Sequence, residues 1–103
     1  MSRKTWYIAG VIKSFRCKET EYFFNKQTSR KIPPELQRAA YRKLIMLHNA
    51  KDIQDLKAFP SNHYEVRKKE RKGQSSIWIN QRYRICFVWD NGDAYDVEIV
   101  DYH

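Results

Sequence analysis

The sequence predicts an α+β domain, with N-terminal helices packed on one face of a small, mainly antiparallel twisted sheet. Three observations carry that prediction. Apolar residues recur at helical spacing through the first half of the chain. Three consecutive segments of the second half alternate apolar and polar side chains, the period of a half-buried strand. Between the last two of these segments stands Asn91-Gly92, two residues that tolerate positive φ and so favour a two-residue hairpin. Helices first and strands later give an α+β order, not an alternating α/β one.

Taken in order, Val11-Ile12-Lys13-Ser14-Phe15 is branched and aromatic and reads as a first strand. Residues 18–26 turn helical, with Tyr22, Phe23 and Phe24 available to pack inward. The stretch 28–34 breaks that helix, and Pro34 suits the first turn of a longer one that runs to about Asn49. On it Leu36, Ala40, Leu44 and Leu47 share one face, while Gln37, Arg38, Arg42 and Lys43 fall elsewhere. A short helical piece over 52–57 ends near Pro60, and a strand follows near 63–66. Ile77 and Ile79 then alternate with Ser76, Trp78 and Asn80. Tyr83, Ile85, Phe87 and Trp89 alternate with Arg82, Arg84, Cys86 and Val88, and Tyr95, Val97 and Ile99 alternate with Asp96 and Glu98. If the apolar set faces the helices, Arg82 and Arg84 face an open, solvated surface, where an arginine can hold a phosphate bidentately.

The chain has 103 residues, 42% of them hydrophobic, enough for one core and too few for two. Its formal net charge of +8 attracts phosphate polymers from beyond contact distance, through binding that weakens as salt rises. Charge by itself does not separate RNA from DNA, an anionic membrane or an acidic protein. Cys17 and Cys86 form neither a CxxC nor a disulfide framework, which fits a reducing cytoplasm, and Cys86 reads as a small core side chain. No apolar stretch is long enough to span a bilayer, and the first ten residues lack the apolar centre of a signal peptide. The expectation is a cytoplasmic single domain with no membrane partner.

The densest basic run is Arg67-Lys68-Lys69-Glu70-Arg71-Lys72, closed by Gly73. It reads equally as a loop that grips a nucleic-acid backbone and as a solvated loop; Arg82 and Arg84 nearby favour phosphate. The chain ends Asp101-Tyr102-His103. Beside Arg84 these are the groups of a ribonuclease that needs no metal: histidine exchanges protons near neutral pH, arginine stabilises a charged phosphorane, and tyrosine stacks or shares a proton. His48, at a helix C-terminus, reads as a dipole-stabilising cation; His63, before a strand, is a weaker catalytic candidate that after Pro60-Ser61-Asn62 reads better as a surface histidine. Trp6, Trp78 and Trp89 are all able to stack on bases, though Trp89 reads more simply as core. No HxxxH, CxxC or clustered acidic pattern points to a metal, and three scattered glycines make no phosphate-cradling loop, so no metal or cofactor is expected.

Several of these residues together resemble the HigB-type toxins of the RelE superfamily. The resemblance rests on Ile12-Lys13-Ser14-Phe15 and on the block Ser76-Ile77-Trp78-Ile79-Asn80-Gln81-Arg82-Tyr83-Arg84-Ile85-Cys86-Phe87. The turn Asn91-Gly92-Asp93-Ala94-Tyr95 and the ending Glu98-Ile99-Val100-Asp101-Tyr102-His103 complete it. It implies a microbial-ribonuclease-like fold and cleavage of messenger RNA in the A site of the small (30S) ribosomal subunit. It further implies neutralisation by a helix-turn-helix antitoxin, in a complex that binds operator DNA. Carried over by position, Arg84 is the phosphate-binding, transition-state arginine, Tyr102 and His103 the C-terminal catalytic pair, and Lys68 a basic residue of the active-site loop. Members of the family carry histidine where this chain has Glu65; a carboxylate there serves as general base only with cations such as Lys68 and Arg84 beside it. Such toxins begin with Met where this chain has Val11, so residues 1–10 read as an extension from a misassigned start codon that adds nothing to the fold, and 11–103 as the domain.

Two functions from different classes follow. The first is a metal-independent, ribosome-dependent messenger-RNA endoribonuclease. Glu65 or Tyr102 takes the 2′-hydroxyl proton, Arg84 stabilises the phosphorane, and His103 or Arg84 assists the leaving 5′-oxygen, giving 2′,3′-cyclic phosphate and 5′-hydroxyl ends. Arg67, Lys68, Lys69, Arg71, Lys72 and Arg82 supply phosphate contacts. The second is a non-catalytic inhibitor of the same fold, a ParE-like gyrase inhibitor or an RNA-binding module. The constellation of Arg84 with Tyr102-His103 favours the first.

Overall fold

The computed structural model describes residues 10–66 and 73–102. Helix α1 (Lys18–Lys26) starts at Cys17, whose Sγ accepts the Thr20 N–H at 3.4 Å. It stops at Gln27, which turns left-handed (φ 63°) and returns its N–H to the Phe23 carbonyl. Helix α2 (Pro34–His48) opens with its proline in the first turn, where no N–H is missed. Helix α3 (Ile53–Lys57) is capped by Asp52, whose Oδ1 accepts from the Gln54 N–H, and a 3-10 turn (Pro60–Asn62) follows. The strands β1 (Glu65–Val66), β2 (Ser75–Trp78), β3 (Tyr83–Asp90) and β4 (Asp93–Asp101) form one antiparallel sheet in sequential order. Asn91 and Gly92 join the last two at φ 53° and 86°, the signs a two-residue type I′ loop requires.

The helices lie on one face of the sheet, as expected. Phe23, Phe24, Leu44, Leu47 and Leu56 meet Ile77, Ile85, Phe87 and Val97 in a core where each is at most 1% exposed. Burial of such side chains at about 1.5–3 kcal/mol each drives the packing.

Five local expectations change. Residues 11–15 do not form a full strand: they run parallel to β4 through two isolated bridges, Ile12 to Ala94 and Phe15 to Val97. Between these bridges Asp96 is left-handed (φ 54°) and gives its N–H to the Ser14 hydroxyl instead of to a backbone carbonyl. The same residue bulges β4: Asp96 and Val97 together oppose Phe87. The alternation therefore flips, so that Ala94, not Tyr95, is buried with Val97. Tyr22, expected inward, is 54% exposed, and it is Thr20 that turns in with Phe23 and Phe24. Lys43, read off the apolar face of its helix, is nevertheless buried beside Asn62. His48, read as stabilising the helix end, is instead packed inside: it is buried, its Nδ1 accepts the Ile12 N–H at 3.3 Å, and its ring stands edge-on to Phe24. Gly10 passes so close to this imidazole that a Cβ there would sit 2.1 Å from it. Gly10 is thus packed against the domain, while the rest of the expected extension, Trp6 and Tyr7 included, lies outside the described residues.

Candidate active site

Side chains opposite one another in an antiparallel pair share a face, and so do residues two apart on one strand. From the pairings, Glu65, Ser76, Trp78, Arg84, Cys86, Glu98 and Val100 point away from the helices. The expected open, solvated surface is only partly so: Ser76 and Cys86 in its middle are buried. Trp78, Arg84 and Tyr102, toward one end, are half-buried and reachable.

The β2–β3 connection builds the arginine's seat. β2 ends at Trp78, and Asn80 folds its Oδ1 back to accept the N–H groups of Arg82 and Tyr83, both at 2.8 Å. This is the local turn that Asn favours because its side chain imitates a backbone carbonyl. The carbonyls of Asn80 and Gln81 then accept from Nη1 of Arg84 at 2.8 and 2.6 Å. Trp78 and Arg84 are register partners, and the guanidinium carbon lies 4.2 Å from the indole centre. Tyr102 arrives just beyond β4, its N–H held by the Arg82 carbonyl, with its ring centre 5.3 Å from the same carbon. Clamped on one edge and placed against two aromatic rings, the guanidinium keeps one rotamer. Among the described residues no hydrogen bond takes its Nε or Nη2, the edge that grips an oxyanion bidentately.

On the other side of Trp78 lies His63, its ring stacked on the indole at 3.7 Å and 24°. The β1–β2 register explains the meeting. Glu65 faces Ser76, and the same row extended two residues back brings His63 level with Trp78. His63 is left-handed (φ 44°), with its N–H on the Pro60 carbonyl. The preceding residue anchors it: Asn62 is fully buried, donates to the Leu56 carbonyl at 2.8 Å and to the Met46 sulfur at 3.4 Å, and accepts from Lys43 Nζ. Burial around that ammonium holds the Lys43 pKa below the usual lysine range.

Of the candidate residues, Arg84, Tyr102 and Glu65 come to one face. Arg82 precedes β3, and its Nε and Nη2 are both taken by Asp101, at 2.7 and 3.0 Å. That carboxylate raises the arginine's pKa. His103 and the basic run Arg67, Lys68, Lys69, Arg71 and Lys72 lie outside the described residues. Asn80 and His63 stand beside this candidate site; the sequence alone did not single out Asn80, and it marked His63 only as a weaker candidate. The signal for Asn80 was its place just before two arginine-bearing positions; for His63 it was the β1 register. Among the described residues no group of three or more His, Cys, Asp or Glu is placed to hold a metal ion, and no helix is long and apolar enough to cross a membrane.

Residues 13–103 match the family model described as RelE-like toxin of type II toxin-antitoxin system HigB. "Toxin HigB-1" of Vibrio cholerae serotype O1 is 36% identical over 81 residues, covering 78% of this chain and 85% of that protein. "Endoribonuclease HigB" of Proteus vulgaris is 30% identical over 93 residues, covering 90% of this chain and the whole of the relative. A sheet that seats Arg84 between two aromatic rings, a family match running to the last residue and relatives of this identity agree: the chain belongs to the HigB-like toxins, the RelE-like toxins of type II toxin–antitoxin systems.

Proposed function

We propose that this toxin is a ribosome-dependent messenger-RNA endoribonuclease of the cytoplasm. The observation that supports this best is the seat of Arg84: one guanidinium edge fixed by two carbonyls, the faces held by Trp78 and Tyr102, and the remaining edge available among the described residues. Such a preorganised cation stabilises charge that develops on a phosphorane. The name of the Proteus vulgaris relative supports RNA cleavage as the reaction. In this reading Glu65 or Tyr102 removes the 2′-hydroxyl proton and the 2′-oxygen attacks the adjacent phosphorus. The 5′-oxygen leaves with a proton from His103 or with the help of Arg84, and 2′,3′-cyclic phosphate and 5′-hydroxyl ends result. Arg84, Glu65, Tyr102 and His103 together supply cation, base and acid without a metal. Ribosomal RNA in the A site orients the message, which supplies part of the rate. Lys68, with Arg67, Lys69, Arg71 and Lys72, serves docking.

A toxin of a type II system has an antitoxin partner. Here the partner is a helix-turn-helix protein whose complex with the toxin binds operator DNA. The test of the catalytic reading is induced expression in a sensitive bacterial host, with 5′-end mapping of messages, alongside Arg84→Ala. New ends within coding regions that vanish with Arg84→Ala are expected. Growth arrest without such ends would replace this reading with a gyrase-type binding inhibitor.

A further inference from the structure

We infer that His63 forms a nucleobase subsite: the outward face of its imidazole stacks a base of the RNA, beside the phosphate held by Arg84. The inference rests on the ribonuclease reading above and adds a residue that no part of that reading uses.

His63 is exposed yet not loose. Its backbone is tied to Pro60, its neighbour Asn62 is buried and bonded to Leu56, Met46 and Lys43, and its ring is fixed against Trp78. Its left-handed backbone caps the 3-10 turn (Pro60–Asn62), which fixes where the ring leaves the chain. His63 comes from the β1 side of β2 and Arg84 from the β3 side, so one indole separates imidazole from guanidinium. The separation suits a phosphate at the arginine and the base of the adjoining nucleotide at the histidine. It also keeps the full thickness of the indole between the imidazole and the guanidinium that holds the phosphate. With its inner face covered by Trp78, the ring offers its outer face, and base-on-aromatic stacking is tolerant of base identity. The row His63, Trp78, Arg84, Tyr102 is then a continuous stack with one cation in it, open to a base at the His63 end, and aromatic faces beside a cation are the combination that single-stranded nucleic acid binds.

The test uses the full chain acting on a reporter message in a translating extract, with message concentration varied. His63→Asn removes the ring and keeps a residue at ease at positive φ. His63→Phe keeps an aromatic face and removes the titratable nitrogens. The expected result for His63→Asn is an apparent KM raised roughly 5- to 150-fold, with kcat within a few-fold and the pH profile unchanged in shape. His63→Phe is expected to restore KM to within about threefold of the unsubstituted chain. An unchanged KM in His63→Asn overturns the subsite, as does a His63→Phe variant as weak as His63→Asn. Loss of one limb of the pH profile overturns it in favour of proton transfer. Arg84→Ala, run beside these, separates the two levels. If the unsubstituted chain leaves the message intact, the ribonuclease reading itself falls; if it cleaves and Arg84→Ala is inactive while His63→Asn matches the unsubstituted chain, only the subsite falls.

Discussion

Asn62→Ala probes the packing that places one side of the site, and its cost is worked from the two stronger of its three contacts. The Asn62 amide is fully buried; it accepts from the Lys43 ammonium and donates to the Leu56 carbonyl at 2.8 Å and the Met46 sulfur at 3.4 Å. A hydrogen bond to a charged group contributes about 1.5–3 kcal/mol and one to a neutral carbonyl about 1 kcal/mol. Alanine removes both, leaves a buried carbonyl and ammonium short of partners, and opens a small void. Among the described residues, Lys43 is left with a 3.4 Å contact to the Ser61 hydroxyl. The expected loss is about 3–5 kcal/mol, a large share of the roughly 5–15 kcal/mol that holds a domain together. Urea unfolding followed by tryptophan fluorescence measures it, with the slope checked for two-state behaviour. Replacing both partners, Lys43→Met with Asn62→Leu, is expected to recover at least half of the loss, because no ammonium is then buried without its acceptor. A single-variant loss below about 1 kcal/mol, or a double variant no better than Asn62→Ala, would refute the idea that this network pins the turn before His63.

Asn80→Ala removes the acceptor of two N–H groups in the β2–β3 turn and loosens the carbonyls that hold Arg84. We expect about 1–2 kcal/mol of destabilisation and at least about a tenfold fall in message cleavage, measured by unfolding and by 5′-end yield; full cleavage would show that Arg84 needs no clamp. Gly92→Ala places a Cβ at φ 86°, with nothing nearby to clash, so its cost of about 1 kcal/mol is conformational; a neutral thermal shift would contradict the I′ assignment. Burial holds the Lys43 pKa below its unfolded value, so through the alkaline window between the two the unfolded chain binds more protons and stability rises with pH toward about 10.4. Lys43→Met is expected to flatten that rise in urea midpoints taken across pH 8–10.5 (about the lysine range); a slope unchanged by the substitution would mean that another group carries it.

What the sequence made legible follows from which interactions are local. Helices α1 and α2 and the Asn91-Gly92 hairpin were readable because caps, apolar spacing and turn chemistry act within a few residues. Arg84 and Tyr102 were readable as site candidates because side-chain chemistry and a family resemblance both marked them. Lys43, His48 and Tyr95 were misplaced because their environments come from elsewhere in the chain: Asn62, the Ile12 backbone, and a bulge that Asp96 introduces against Ser14. One-residue bulges are invisible to period-two counting, yet each one exchanges the faces of a strand.

His63 shows why a site can be half legible. As a sequence feature it is a lone histidine after a proline turn, indistinguishable from a solvent-facing one. Its meaning depends on two things set far apart along the chain: an Asn62–Lys43 contact that fixes the turn to α2, and a β1–β2 register that brings the turn level with Trp78. Arg84, in contrast, is held by the carbonyls of residues three and four positions before it. The cation proposed for catalysis is thus built locally and the neighbouring stack by tertiary packing. Substitutions in the α2–turn contact should therefore alter how the message is held before they alter how it is cut, whereas substitutions in the β2–β3 turn should do both.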